Sequence, residues 1–258
     1  MSRGPQLRAI AFDLWETLIT DTPELSAQQK RLRLEWMERI LRRHGYGGTA
    51  QQIEMAHRQS WHRCQELYWA LDRDISSRTQ IDHFLEALEL EISEEATLDA
   101  LEEAYARAAV EVLPSTVDGA AALLAEVKRR GFRVGLISNT GRTPGSALRD
   151  ILDRLGLARF IDSMVFSNEH GECKPRKSIF EALRKSLDVP FDEMLFVGDN
   201  LFVDVHGAQQ CGMRAVHFAP DKRGSAIAPP VEHGQEIEPY ATIKELRELP
   251  AVIDALGS

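Results

Sequence analysis

Three carboxylates stand where the sequence suits chemistry better than solvation. Asp13 ends the short apolar run Ile10-Ala11-Phe12, as a residue at the C-terminal edge of a buried parallel strand would. Asp199 follows Leu195-Phe196-Val197-Gly198, and Asp204 comes five residues later. Two other stretches place polar groups in similar positions: Ser138-Asn139-Thr140 after Val134 to Ile137, and Lys174-Pro175 after Gly171-Glu172-Cys173. In open α/β sheets ligands bind beyond the C-terminal ends of the strands, so all of these residues would face one crevice. If Asp13, Asp199 and Asp204 meet, Lys174 alone cannot balance them, and either a cation or a proton must. Mg²⁺, a hard ion that prefers oxygen ligands, is the natural candidate.

The elements that would position these residues follow from periodicity. Beyond Pro114 the sequence alternates: helix over Asp118–Arg130, strand over Phe132–Ile137, helix over Thr143–Leu155 and strand over Ser163–Phe166. Helix over Lys177–Leu187, strand over Met194–Val197, helix over Asp204–Cys211 and strand over Arg214–Phe218 come next, with a short strand near Ala241–Ile243 and a last helix. This is the pattern of a doubly wound parallel sheet, an α/β fold. Between Asp21 and Leu113 the character is different. Apolar residues recur at helical spacing over Glu24–Arg43, and Thr49, Ser77 or Thr79, and Ser93 are predicted to cap three further helices. An insertion of about ninety residues far exceeds an ordinary βα connection. At the edge of the first strand it reads as a four-helix lid or cap, giving a core of 1–20 and 114–258 and a cap of 21–113. Ser225–Pro239 is aperiodic.

Composition limits the partners. Forty acidic against 31 basic residues give a net charge of −9, which argues against nucleic acid or an anionic membrane as partner. Cys64, Cys173 and Cys211 are too few and too scattered for a disulfide framework or a zinc knuckle. No early run has the make-up of a signal peptide, and no apolar segment approaches the ~18 residues that span a bilayer. A cytoplasmic monomer or homodimer is expected.

The four stretches, in this order and with a helical insertion after the first, resemble the haloacid dehalogenase superfamily of hydrolases, in the subgroup with a helical cap. The motif Gly198-Asp199 with Asp204 is the most specific of them, and Asp13 with Thr17, Ser138-Asn139 and Lys174-Pro175 complete the set. The resemblance implies a Rossmann-like core in which Asp13 is the nucleophile, forming an aspartyl intermediate that water cleaves. Ser138 and Asn139 would bind the oxygens of the transferring group, and Lys174 would place positive charge against nucleophile and substrate. Asp13, the Trp15 backbone carbonyl, Asp199 and Asp204 would hold Mg²⁺.

One position departs from this pattern. Phosphatases of the superfamily carry an acid/base Asp two residues after the nucleophile, where this chain has Trp15. Losing a general acid costs about 10²–10⁴ in rate. Glu16 is adjacent, but a one-residue shift near a strand end reverses the side chain. A leaving group that needs no proton, or an acid from the cap, would resolve the loss. Aromatic residues at this position occur in the superfamily's haloacid dehalogenases. The expectation is therefore a Mg²⁺-dependent phosphatase acting on a small anionic, phosphorylated metabolite. The alternatives are a carbon–halogen hydrolase and a catalytically impaired binding protein. His57, His62, Trp36, Trp61 and Trp69 are read as core packing or a half-exposed helix face; Arg142 could reach an anionic substrate but is read first as a surface loop arginine, Cys173 as an inert thiol ahead of one activated by Lys174, and Lys30–Arg43 as the wet side of a helix.

Overall fold

The computed structural model describes residues 6–221 and 237–257. Its centre is strand β1 (Ala9–Phe12), every residue of which is buried. β1 pairs in parallel with β4 (Arg133–Ser138) on one side and β6 (Met194–Gly198) on the other. With β5 (Ser163–Phe166), β7 (Arg214–Phe218) and β8 (Ala241–Ile243) they form a parallel sheet in the order β5-β4-β1-β6-β7-β8. Strand order reverses at β1, so the crevice of this doubly wound sheet opens at the C-terminal end of that strand.

Alternation along β1 divides the interior in two. Ile10 and Phe12 join a cluster with Leu124, Leu136 and Leu148, under helices α5 (Ala120–Arg129) and α6 (Gly145–Arg154). Ala9 and Ala11 face Phe180, Leu183 and Phe196 on the side of α8 (Lys177–Leu187). A Cβ at Gly135 would stand 2.8 Å from Leu183, so glycine lets α8 lie directly on β4. A short helix α7 (Ser167–His170) follows β5. After β6 the chain makes a wide helical turn over Leu201–His206 that runs into α9 (Gly207–Gln210), and helix α10 (Leu249–Gly257) ends the described chain. Most of the aperiodic stretch Ser225–Pro239 lies outside the described residues.

Four helices leave and re-enter this core through a two-stranded antiparallel ribbon, β2 (Ile19–Thr20) with β3 (Ser115–Thr116). Sequence pattern does not mark these two segments as strands, because two residues are too few to show a period. The helices are α1 (Pro23–Arg43), α2 (Ala50–Leu67), α3 (Ser77–Ala87) and α4 (Glu95–Glu111). Thr22 caps α1 by accepting from the Leu25 amide at 3.2 Å, and Thr49 caps α2 in a reciprocal box with Gln52. Ser76 rather than Ser77 or Thr79 caps α3, and α4 starts after Glu94, with no side-chain cap. Met37, Leu41, Phe84, Leu101 and Tyr105 build a separate core inside the four helices. Among the described residues no helix is long and apolar enough to cross a membrane.

Candidate active site

Asp13 directly follows β1, and its amide donates to the Val197 carbonyl at 2.9 Å, so the backbone of β6 fixes where the carboxylate starts. The chain then doubles back, with the amides of Leu18 and Ile19 both donating to the Leu14 carbonyl at 2.9 and 3.0 Å. Glu16 takes the left-handed backbone conformation there, at φ 61°, uncommon for a residue with a side chain. Its carboxylate accepts from the Thr20 hydroxyl at 2.8 Å, so it serves the β2 turn. Thr17 donates its hydroxyl to Asp13 Oδ2 at 3.1 Å. A bridge between Trp15 and Ile19 closes the turn.

Lys174 is the hub. Its ammonium donates to Asp13 Oδ1 at 2.5 Å, to Asp204 Oδ1 at 2.7 Å and to the Ile137 carbonyl at 3.1 Å, and it is almost wholly buried. All three of its protons are therefore used. Asn139 holds this lysine by its main chain: its Nδ2 donates to the Lys174 carbonyl at 3.1 Å and its Oδ1 accepts the Lys174 amide at 2.9 Å. Both ends of the Asn139 amide group are thus committed to placing Lys174. Ser138, fully buried, has its hydroxyl 3.4 Å from the Asn139 carbonyl.

Asp204 is buried on the wide turn after β6 and accepts the Asn200 amide at 3.0 Å through Oδ2. Asn200, not Asp204, caps that turn, accepting from Phe202 and Val203. Gly198 makes the approach possible, because a Cβ there would come within 2.4 Å of the Asp204 carboxylate. The Asp199 carbonyl accepts from His217 Nε2 at 3.1 Å. Carboxylate oxygens of Asp13, Asp199 and Asp204 lie within 4.8 Å of one another. Three carboxylates against one ammonium leave a net negative pocket lined with hard oxygen donors, which fits a divalent cation such as Mg²⁺. Burial pushes the Asp13 carboxyl up to about 6, Lys174 opposing and Asp204 adding to the effect. Burial also works against charge on Lys174, but the two carboxylates outweigh it and raise its ammonium above the ordinary lysine range.

The helical segment reaches this site through Asp74, in the loop before α3. Asp74 Oδ1 accepts from the Trp69 indole at 2.7 Å and the Ile75 amide at 2.8 Å. Its Oδ2 accepts from the Thr140 hydroxyl at 2.9 Å and from the Ser167 hydroxyl. Next to it the backbone bonds the loop that carries Lys174: the Asp74 amide donates to the Gly171 carbonyl at 3.0 Å and the Cys173 amide to the Asp72 carbonyl at 2.9 Å. Sequence gave no reason to single out Asp74, since an aspartate before a capping serine reads as loop. Cys173 is buried, and burial with the nearby Asp74 pushes its thiol up to about 12, so adjacency to Lys174 does not activate it.

Two further expectations are corrected. Arg142 is not a surface arginine: it lies between α2 and α4, donating to His57 Nε2 and to the Tyr105 hydroxyl, both at 2.9 Å. Within the expected wet run Lys30–Arg43, Arg33 is buried and donates to the Tyr105 carbonyl at 2.7 Å. His57 is buried as a packing residue would be, and Trp36, Trp61 and Trp69 are partly covered.

An α/β sheet with a carboxylate–lysine centre at its switch point defines the class. The family model for haloacid dehalogenase-like hydrolases matches residues 7–212, and the chain belongs to that family of hydrolases. It is 35% identical over 102 residues to a glyceraldehyde 3-phosphate phosphatase of Pyrococcus abyssi, covering 40% of this chain and 42% of that protein. It is 31% identical over 173 residues to a ribulose-1,5-bisphosphate 5-phosphatase of Halopiger xanaduensis, covering 66% of this chain and 71% of that one. A 2-haloacid dehalogenase from Pseudomonas syringae shares the fold, with a TM-score of 0.68 at 22% identity over 97% of this chain and 99% of the other.

Proposed function

We propose that this chain is a Mg²⁺-dependent phosphatase that acts on a small phosphorylated metabolite through an aspartyl intermediate. The observation that carries the reading is the convergence of Asp13, Asp199 and Asp204 around Lys174; attack on a halocarboxylate needs no such all-oxygen cation site. Asp13, Asp199, Asp204 and the Trp15 carbonyl would hold the ion. Once bound, the ion would offset the charge of the phosphoryl group and keep Asp13 ionised. An Asp13 carboxylate oxygen bonds to phosphorus as the ester P–O bond breaks, and the electron pair leaves on the alcohol oxygen. Lys174 and the backbone after Ser138 stabilise the phosphoryl oxygens. Water then cleaves the acyl phosphate, releasing phosphate and restoring Asp13. In this reading residues 21–113 form the cap that excludes water from the site, and 1–20 with 114–258 form the core.

Trp15 leaves the departing alcohol without the acid that position would supply, and Glu16 is committed to Thr20. Aryl and acyl phosphates, whose leaving groups need no proton, should therefore be the better substrates. The curated relatives named as phosphatases support the phosphoryl reading. Trp15 itself favours the second reading, hydrolysis of a 2-haloacid by the same Asp13. The test is turnover of p-nitrophenyl phosphate, alkyl phosphates and 2-haloacids with Mg²⁺ and with EDTA. The expected result is aryl-phosphate turnover that EDTA and Asp13→Asn both abolish, and an alkyl-phosphate rate that rises at least tenfold in Trp15→Asp. Halide release that persists in EDTA would replace the phosphatase reading with the second one.

A further inference from the structure

Arg33, on α1, and Arg142, in the core loop after β4, lie against the same side chain, Tyr105 of α4. Their guanidinium carbons are 5.4 and 5.7 Å from its ring centroid. Arg142 stands four residues past Ser138, on the loop that leaves the end of β4.

Neither guanidinium touches a carboxylate among the described residues. Charged groups removed from water are normally paired or neutralised, yet among the described residues neither guanidinium makes an ion pair. Arg142 donates to His57 Nε2, the His57 carbonyl and the Tyr105 hydroxyl, and it lies 4.5 Å over the Trp61 ring. All of these partners are neutral. His57 accepts at Nε2 and so carries no charge; burial, then the field of Arg142, pull it down to about 2. Arg33 is 5% exposed and donates only through Nε, to the Tyr105 carbonyl. Its terminal amino groups have no hydrogen-bond partner among the described residues. Asp21, whose field reaches Arg33, accepts from Gln29 at 3.0 Å. Asp74, beyond Trp61 and Trp69, has four donors of its own. Arg33 is buried and Arg142 partly covered, and their like charges oppose one another. An anion in contact with both would offset that repulsion.

We propose that Arg33 and Arg142 seat a second anionic group of the substrate, a carboxylate or a phosphate that is not transferred. The proposal rests on the phosphatase reading for the group at Asp13, and it sets the substrate class: a phosphate ester with another anion at the far end of a short chain. Trp61 and Tyr105 would flank that anion, and the neutral His57 would place no negative charge against it.

The experiment compares three series of two to five carbons with Mg²⁺: alkyl monophosphates, ω-phosphooxy carboxylates, and α,ω-bisphosphates. In the natural chain one chain length of the second or third series should exceed the matching alkyl phosphate in kcat/KM by about 10- to 100-fold. The series that does so tells a carboxylate from a phosphate. Arg142→Gln and Arg33→Gln should each bring that ratio close to one. General damage to the fold lowers both rates and leaves the ratio unchanged, which would overturn the proposal, as would a natural chain that shows no preference. Melting temperatures of Asp13→Asn with the same compounds separate the two readings. If no phosphate ester is hydrolysed but a second anion raises the melting temperature, and Arg142→Gln abolishes the rise, the seat stands and the phosphatase reading falls. If esters are hydrolysed with neither preference nor shift, the seat falls alone.

Discussion

Lys174 is the residue on which the site balances, because each of its three protons meets an acceptor and two of those acceptors are acids. Removing it leaves Asp13 and Asp204 facing each other in a buried setting. Lys174→Met is expected to lower turnover by at least about 10²-fold and stability by about 3–5 kcal/mol. Urea unfolding with and without Mg²⁺ checks this, with the variant gaining more from the ion than the natural chain does. Asp13, Asp199 and Asp204 were legible because they end or follow a buried strand and the fold gathers strand ends, whereas Lys174, in a loop past α7, was singled out only by the motifs around it. Arg33 was not, and Arg142 was marked only by its place four residues after Ser138. A charged residue on an amphipathic helix or in a loop reads as solvated, and only the packing of α1, α2 and α4 on the 140–143 loop shows otherwise. Gln80 adds to that packing by donating to the Gly141 carbonyl at 2.8 Å.

Between elements, two of the ties that join the helices to the core differ in their chemistry. At the ribbon the tie is backbone pairing of β2 with β3, reinforced by Gln29, which donates to Asp21 and to the Val112 carbonyl, both at 3.0 Å. At the second, Asp74 holds the loop after β4 and the start of α7 through two hydroxyls while Asp72 and Asp74 pair with the Lys174 loop. Asp74→Ala strands two buried hydroxyls and an indole, and should destabilise the protein by about 2–4 kcal/mol. Asp74→Asn, which keeps one acceptor and gains a donor that rotated hydroxyls can accept, should cost less than half of that in the same thermal unfolding experiment. Helix positions were legible from period and caps, to within a few residues. Neither tie was, because a two-residue strand has no periodicity and a long-range side-chain bond leaves no local mark.

For the molecule as a whole, Asp21 links stability to pH. Burial, with help from Glu16 and against the hydrogen bond from Gln29, raises its carboxyl from 3.8 to about 6. The folded state therefore holds this proton more tightly than the unfolded chain, so its contribution favours folding at low pH and is lost as pH rises from about 4 to about 6. Asp21→Asn, which keeps the acceptor for Gln29, should gain up to about 3 kcal/mol over the natural chain at pH 7.5 and nothing at pH 3. Denaturant titrations at the two pH values measure the difference. The doubly wound sheet was legible at this scale from alternating helix and strand, and the central place of β1 has a further consequence. Ile10 pairs with both Val134 and Leu195, residues made long after it. During synthesis the strand that carries the nucleophile is without either neighbour until the chain has passed Val134, and without the second until it has passed Leu195. The order in which the chain is made and the order in which its sheet can close are therefore opposed, and the first strand completed is among the last to be enclosed.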